Sequence, residues 1–151
     1  MTVRLTRRPG LPPPRSGAVR KRAERLLRLL NLEDRELSIL LTGDEEMTEL
    51  NSIWRGLKRT TDVLAFSQLE GEGGDTHRHL LGDVVICVPQ ALRGAKQEHS
   101  EPLAEITLLL VHGTLHLLGY EHVGAGRKAA AAMRKEQKRL LALLEGKMRN
   151  A

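Results

Sequence analysis

Residues 102–122 read PLAEITLLLVHGTLHLLGYEH. Ser100, Glu101 and Pro102 form a helix-start signal, because proline lacks an N–H that the first helical turn would leave unpaired anyway. From Leu103 to about Leu118 the stretch is apolar almost all round, through Ile106, Leu108, Leu109, Leu110, Val111 and Leu115. A helix apolar on every face belongs at the centre of a fold. Gly119 then predicts the helix end, in the left-handed position that follows a C-cap.

His112 and His116 interrupt this run at i and i+4, so they share one helix face about one turn of ~5.4 Å apart. Imidazoles on an otherwise apolar helix cost free energy unless their nitrogens find partners, and a metal ion is such a partner. Gly119 lets the chain reverse, which brings His122 back as a third ligand. Zn–N bonds of ~2.0–2.1 Å require all three rings to converge tightly. Three protein ligands leave a fourth position for water, the pattern of a catalytic rather than a structural zinc site, and water so placed loses a proton near neutrality and becomes a nucleophile. One ion held by His112, His116 and His122 is therefore the first functional expectation. Three imidazoles suit zinc, and also nickel, copper or iron. His77, His79 and His99 lie in polar stretches and read as solvated.

Outward from this helix, the pattern alternates between the two regular periods. Val3 and Leu5 predict a short strand, and Leu11-Pro12-Pro13-Pro14 interrupts the chain. Val19, Ala23, Leu26, Leu27 and Leu30 fall at helical spacing with arginines on the opposite face. Leu37, Ile39 and Leu41 alternate as a strand. Asp44 is placed to cap a helix whose apolar stripe is Met47, Leu50, Ile53, Trp54 and Leu57. Asp62–Ser67 and Leu80–Val88 read as strands, separated by the Gly-rich polar stretch QLEGEGGDTHRH. Pro89 opens one helix, and another runs from about Arg127 to Leu144. The order β-α-β-α-β-β-α-α-α predicts an α+β domain: a mixed sheet of about four strands packed by about five helices, with a zincin-like metal site on the central buried helix.

The whole chain of 151 residues reads as one domain with a core large enough to need no staples. Trp54, Phe66 and Tyr120 are its only aromatic residues, which argues against a base-stacking nucleic-acid platform. A lone Cys87 in the run Val84–Val88 reads as a small buried hydrophobe in a reducing compartment. No apolar run approaches the ~20 residues needed to cross a bilayer, and MTVRLTRRPGLPPPR has no secretory apolar core, so a cytoplasmic protein with no membrane partner is expected. The net charge is +5 and is unevenly spread: residues 1–28 carry nine Arg/Lys against Glu24 alone. A basic N-terminal segment over residues 1–30 on a near-neutral body suits a polyanion such as RNA, and equally a solvated helix face.

The spacing His112-x3-His116-x2-Gly119-x2-His122 is that of the metzincin proteases, H-E-x-x-H-x-x-G-x-x-H. Gly113 stands where those enzymes carry their glutamate general base, which argues against peptide hydrolysis.

Three blocks together resemble the YbeY-type endoribonucleases, or rRNA maturation factors: Leu50-Asn51-Ser52-Ile53-Trp54-Arg55-Gly56 leading into Thr61-Asp62-Val63-Leu64-Ala65-Phe66; Leu81-Gly82-Asp83-Val84-Val85-Ile86-Cys87; and the His112–His122 motif. The resemblance spans about Leu37 to Leu144. It implies a single-strand-specific, metal-dependent endoribonuclease acting in 3′-end maturation of 16S rRNA and in ribosome quality control. It also implies metal ligands at His112, His116 and His122, and a cleft arginine at Arg55. The partners implied are single-stranded RNA, small-subunit rRNA and a ribosome or ribosomal protein, with no DNA. Glu121 stands where the family has aspartate, as a candidate to accept a hydrogen bond from a ligand histidine or to carry a proton. Ala65-Phe66-Ser67 replaces the family's Ser-Phe-Pro. The alternatives are a ribosome-assembly binding protein with a structural metal and, further off, a metallopeptidase.

Overall fold

The computed structural model describes residues 2–67, 79–120 and 126–146. Within them the two hydrophobic periods sort the chain in the predicted order. The strands are β1 (Thr2–Arg7), β2 (Glu36–Thr42), β3 (Val63–Ser67) and β4 (Leu80–Cys87), and they form one sheet in the order β1-β2-β4-β3. β1, β2 and β4 run parallel, while β3 pairs antiparallel with β4 at one edge. The helices are α1 (Ser16–Leu29), α2 (Asp44–Arg55), α3 (Val88–Gln97), α4 (Pro102–Leu117) and α5 (Gly126–Leu144). This is the α+β arrangement expected. Among the described residues, no helix is long and apolar enough to cross a membrane.

Alternation along each strand sends side chains to two different cores. On one face Leu37, Ile39, Leu41, Val84 and Ile86 meet Leu26 and Leu27 of α1, Leu110 and Leu115 of α4, and Leu140 of α5. On the other, Leu64, Val85 and Cys87 meet Met47 of α2, with Leu40, Leu50 and Phe66 packed alongside. α4 lies over β3 and β4 and is itself flanked by α1, α3 and α5. It ends as predicted: Gly119 takes φ +83°, its N–H donates to the His116 carbonyl at 2.9 Å, and the Tyr120 N–H donates to that of Leu115 at 3.2 Å. That is a Schellman closure.

Two local readings change. The α2 stripe is covered only at its start. Met47 is buried, but Ile53 and Trp54 are 72% and 64% exposed. Periodicity identifies a face, and α2 rests mainly on β4 and α3, so its last turn extends past that support, with the Trp54 ring touching Phe66 at its edge. Asp44 is not the cap: Gly43 holds that position without a side-chain bond. The Asp44 carboxylate instead accepts two bonds from Arg93 at 2.6 and 3.1 Å, tying α2 to α3. The Cys87 thiol also donates to it at 3.3 Å. Cys87 is fully buried, as expected, and burial pushes its thiol pKa up.

The basic N-terminal segment is largely structural. Arg7 donates to the carbonyls of Leu11, Pro12 and Pro14 and so holds the proline loop in place. Arg8 forms a two-pronged pair with Glu46 at 2.9 and 3.0 Å. Arg20 donates to the Val3 carbonyl, Arg22 binds Glu145 at 2.6 Å, and Arg4 pairs with Glu36 at 3.2 Å. Arg15, Lys21, Arg25 and Arg28 are exposed and can meet a polyanion.

Candidate functional site

A cleft of about 720 Å³ opens where three elements meet the β3 edge of the sheet. α4 contributes His112, Gly113 and His116; α2 contributes its last residue, Arg55; and the approach to β3 contributes Thr61 and Asp62, followed by Val63, Leu64 and Ala65. The start of α5 closes the far side with Gly126, Ala129 and Ala130. These small side chains leave the space open.

The two histidines meet as their spacing predicts. Their Nε2 atoms are 3.1 Å apart, with ring centroids at 4.7 Å and planes inclined at 64°. His112 Nδ1 lies 3.0 Å from Gln137 Oε1 of α5. An amide oxygen only accepts, so Nδ1 carries the proton and the His112 Nε2 is left as an acceptor, facing His116 Nε2. A ring held this way is oriented for metal binding. Two nitrogens on one tetrahedral ion with ~2.0–2.1 Å bonds would stand roughly 3.3 Å apart, close to the spacing found. The donor set therefore fits a divalent transition metal. His122 and Glu121 lie outside the described residues. Among the described residues, no three metal-binding side chains cluster.

Gly113 has a structural reason. A Cβ there would lie 2.8 Å from Val84 Cγ1 and 3.3 Å from Val63 Cγ2. Helix and sheet touch at this point, so a glutamate cannot stand where the protease motif needs one. The sequence showed the missing base; the contact explains its absence.

Arg55 lines the cleft, and among the described residues it has no carboxylate partner. Thr61 and Asp62 also line it. The Asp62 carbonyl accepts from the Cys87 N–H at 2.9 Å, which fixes this segment to the end of β4. Asn51 holds the intervening loop by donating to the Arg59 carbonyl at 2.9 Å. Burial raises the pKa of the Glu105 carboxyl, on α4, with smaller contributions from the charges of Asp62 and Glu98. Asp83 lies within β4, opposite Phe66 and Ser38, as a sheet residue. His79 and His99 are exposed, as expected, and His77 lies outside the described residues.

Sequence reasoning missed Gln137. The available signal was its place on the α5 stripe between Met133 and Leu140, both buried. A polar residue on a buried stripe needs a partner, and His112 is that partner.

The profile of the family described as Endoribonuclease YbeY matches residues 16–145. The Endoribonuclease YbeY of Syntrophus aciditrophicus is 38% identical over 128 residues, covering 85% of this chain and 80% of that protein. That of Geobacter sulfurreducens is 37% identical over 145 residues, covering 96% and 97%. The solution structure of a Thermotoga maritima protein, TM1509, superposes with a TM-score of 0.66 at 23% identity, covering 99% of this chain and 93% of that one. At that identity the likeness speaks for the fold alone.

Proposed function

The chain belongs to the YbeY endoribonuclease family, and from that premise we propose that it is a metal-dependent endoribonuclease cutting single-stranded RNA. One observation carries this reading: the paired Nε2 atoms of His112 and His116, 3.1 Å apart, share a cleft with a guanidinium that has no carboxylate partner among the described residues. His112 and His116 supply two ligands, and the motif spacing supplies His122 as the third. Zinc fits three imidazoles, and nickel is the nearest alternative.

When bound, such an ion acidifies a water molecule and draws charge from a phosphate. The chain's own residues do the rest. Gln137 keeps the His112 ring in the tautomer that offers Nε2 to the cleft. Arg55, a permanently charged fork, matches two non-bridging oxygens of a phosphodiester and stabilises the charge that builds there. The site is concave, so a flexible single strand can bend its phosphate into it, whereas a duplex holds its phosphates on a stiff convex surface. Glu121 remains our candidate for orienting a ligand or carrying a proton.

The family assignment supports small-subunit rRNA as the substrate, with action at the 16S 3′ end and in ribosome quality control, alongside a ribosomal partner. Metal content measured beside cleavage of a single-stranded RNA tests the reading. We expect about one ion per wild-type chain, and loss of both ion and cleavage in His112→Ala. Full cleavage by rigorously chelated protein would overturn it. Ribosome binding that survives His116→Ala, without cleavage by any form, would replace it with an assembly factor.

A further inference from the structure

Trp54 is the only tryptophan of the chain, and it stands 64% exposed. An indole left in water is expensive unless it is used: it carries 150–250 Å² of surface that a core would bury. Trp54 is also braced. Its ring lies 5.3 Å from that of Phe66, inclined at 56°. Phe66 is packed against the smaller core through β3, so the indole is held by the sheet and one face is left to solvent. Ile53, 72% exposed, extends the apolar surface.

The surroundings say what such a face would meet. Arg55, the next residue, lines the cleft. Lys58 and Arg59 follow in the loop and are exposed, and neither has a carboxylate partner among the described residues. Leu64, on the same face of β3 as Phe66, lines the same cleft. An exposed aromatic ring, flanked by three cations and adjoining the cleft that Arg55 lines, is complementary to a nucleotide. The cations take backbone charge and the ring takes a base.

We propose that Trp54, braced by Phe66, is the stacking platform for one base of the bound RNA strand, next to the phosphate held at Arg55. This rests on the nuclease reading above. It also refines the expectation from aromatic scarcity: too few aromatics for an extended stacking surface still allow one braced ring beside the cleft.

Because Trp54 is the sole tryptophan, the intact protein reports on it directly. Rapid mixing with an end-labelled single-stranded oligoadenylate should quench tryptophan emission as the label's anisotropy rises, before cleavage intervenes. Trp54→Ala should raise Kd by about 5- to 150-fold, the range for losing one base–aromatic stack, and Trp54→Phe should restore most of the affinity. An abasic oligomer of the same length should bind the wild type and Trp54→Ala alike.

A Trp54→Ala affinity within twofold of wild type would overturn the proposal. So would RNA binding and cleavage by the wild type with unmoved emission, which would leave the nuclease reading intact. Absence of any RNA binding would overturn both. A dimer in sedimentation that Trp54→Ala dissolves, with RNA affinity unmoved, would assign the patch to a second copy of the chain and also overturn the platform.

Discussion

On one face of the sheet, α1, α4 and α5 bury Leu27, Leu110, Leu115 and Leu140 completely; on the other, α2 buries Met47 and leaves Ile53 and Trp54 in solvent. Both faces are lined by the same strands, and both contribute to the cleft. The thick face supplies the histidines, whose separation the proposed metal site would need correct to tenths of an ångström. The thin face supplies Arg55 and the loop after it, which on the same proposal would meet a flexible strand. Groups that need fixed geometry belong on rigid, well-packed elements. Groups that follow a substrate can sit where packing is sparse.

The contrast can be broken most directly by comparing one truncation on each face. Leu110→Ala should cost about 2–5 kcal/mol, while Ile53→Ala should stay within about 0.5 kcal/mol. Denaturant unfolding monitored by circular dichroism measures both, and equal costs would dissolve the distinction. Next in size is the helix–sheet contact. Gly113→Ala should cost about 1–3 kcal/mol through overpacking. The same substitution should cost less in a Val84→Ala background, because the two sites touch.

Gln137→Ala sharpens the claim that the thick face orients the histidines. It should weaken metal affinity about 10- to 100-fold and leave the unfolding midpoint nearly unchanged, as read by competition with a chelating dye. The smallest effect concerns the α2–α3 tie. The hydrogen bonds from Arg93 lower the Asp44 carboxyl pKa below the ordinary range. The resulting stability is present above the unfolded-state value of about 3.9 and is lost as pH falls through the lower folded value. The pair is solvent-screened, with the Asp44 side chain 43% exposed. Arg93→Gln should therefore cost no more than about 1 kcal/mol at pH 7, and nothing once Asp44 is protonated. A larger loss that persists in acid would mean that Arg93 has another role.

Much of this was legible before any coordinates. The apolar run before His112 marked the central helix, the i, i+4 spacing brought two imidazoles together, alternation located the first two strands, and the segments around Asp62–Ser67 and Leu80–Val88 gave the other two. Arg55 was legible through the block around it. What the sequence hid were facts about neighbours. Helical spacing named the α2 stripe but not how far the sheet extends beneath it, so the exposure of Ile53 and Trp54 did not show. Nine cations in 28 residues read as one electrostatic feature, yet Arg7, Arg8, Arg20 and Arg22 are spent on carbonyls and carboxylates of the fold. Gln137 lies 25 residues from its partner, and no local pattern encodes that distance.

The contact at Gly113 also governs how the protein would read in a survey of all single substitutions. Position 113 would score as intolerant as positions 112 and 116 on either side, and a map of lost activity would mark a continuous catalytic stripe along α4. The causes are different. At 113 the losses would track the yield of folded protein, with specific activity per folded molecule preserved. At 112 and 116 yield would hold while specific activity collapsed. Scoring abundance and turnover separately would split the stripe into a packing position between two chemical ones.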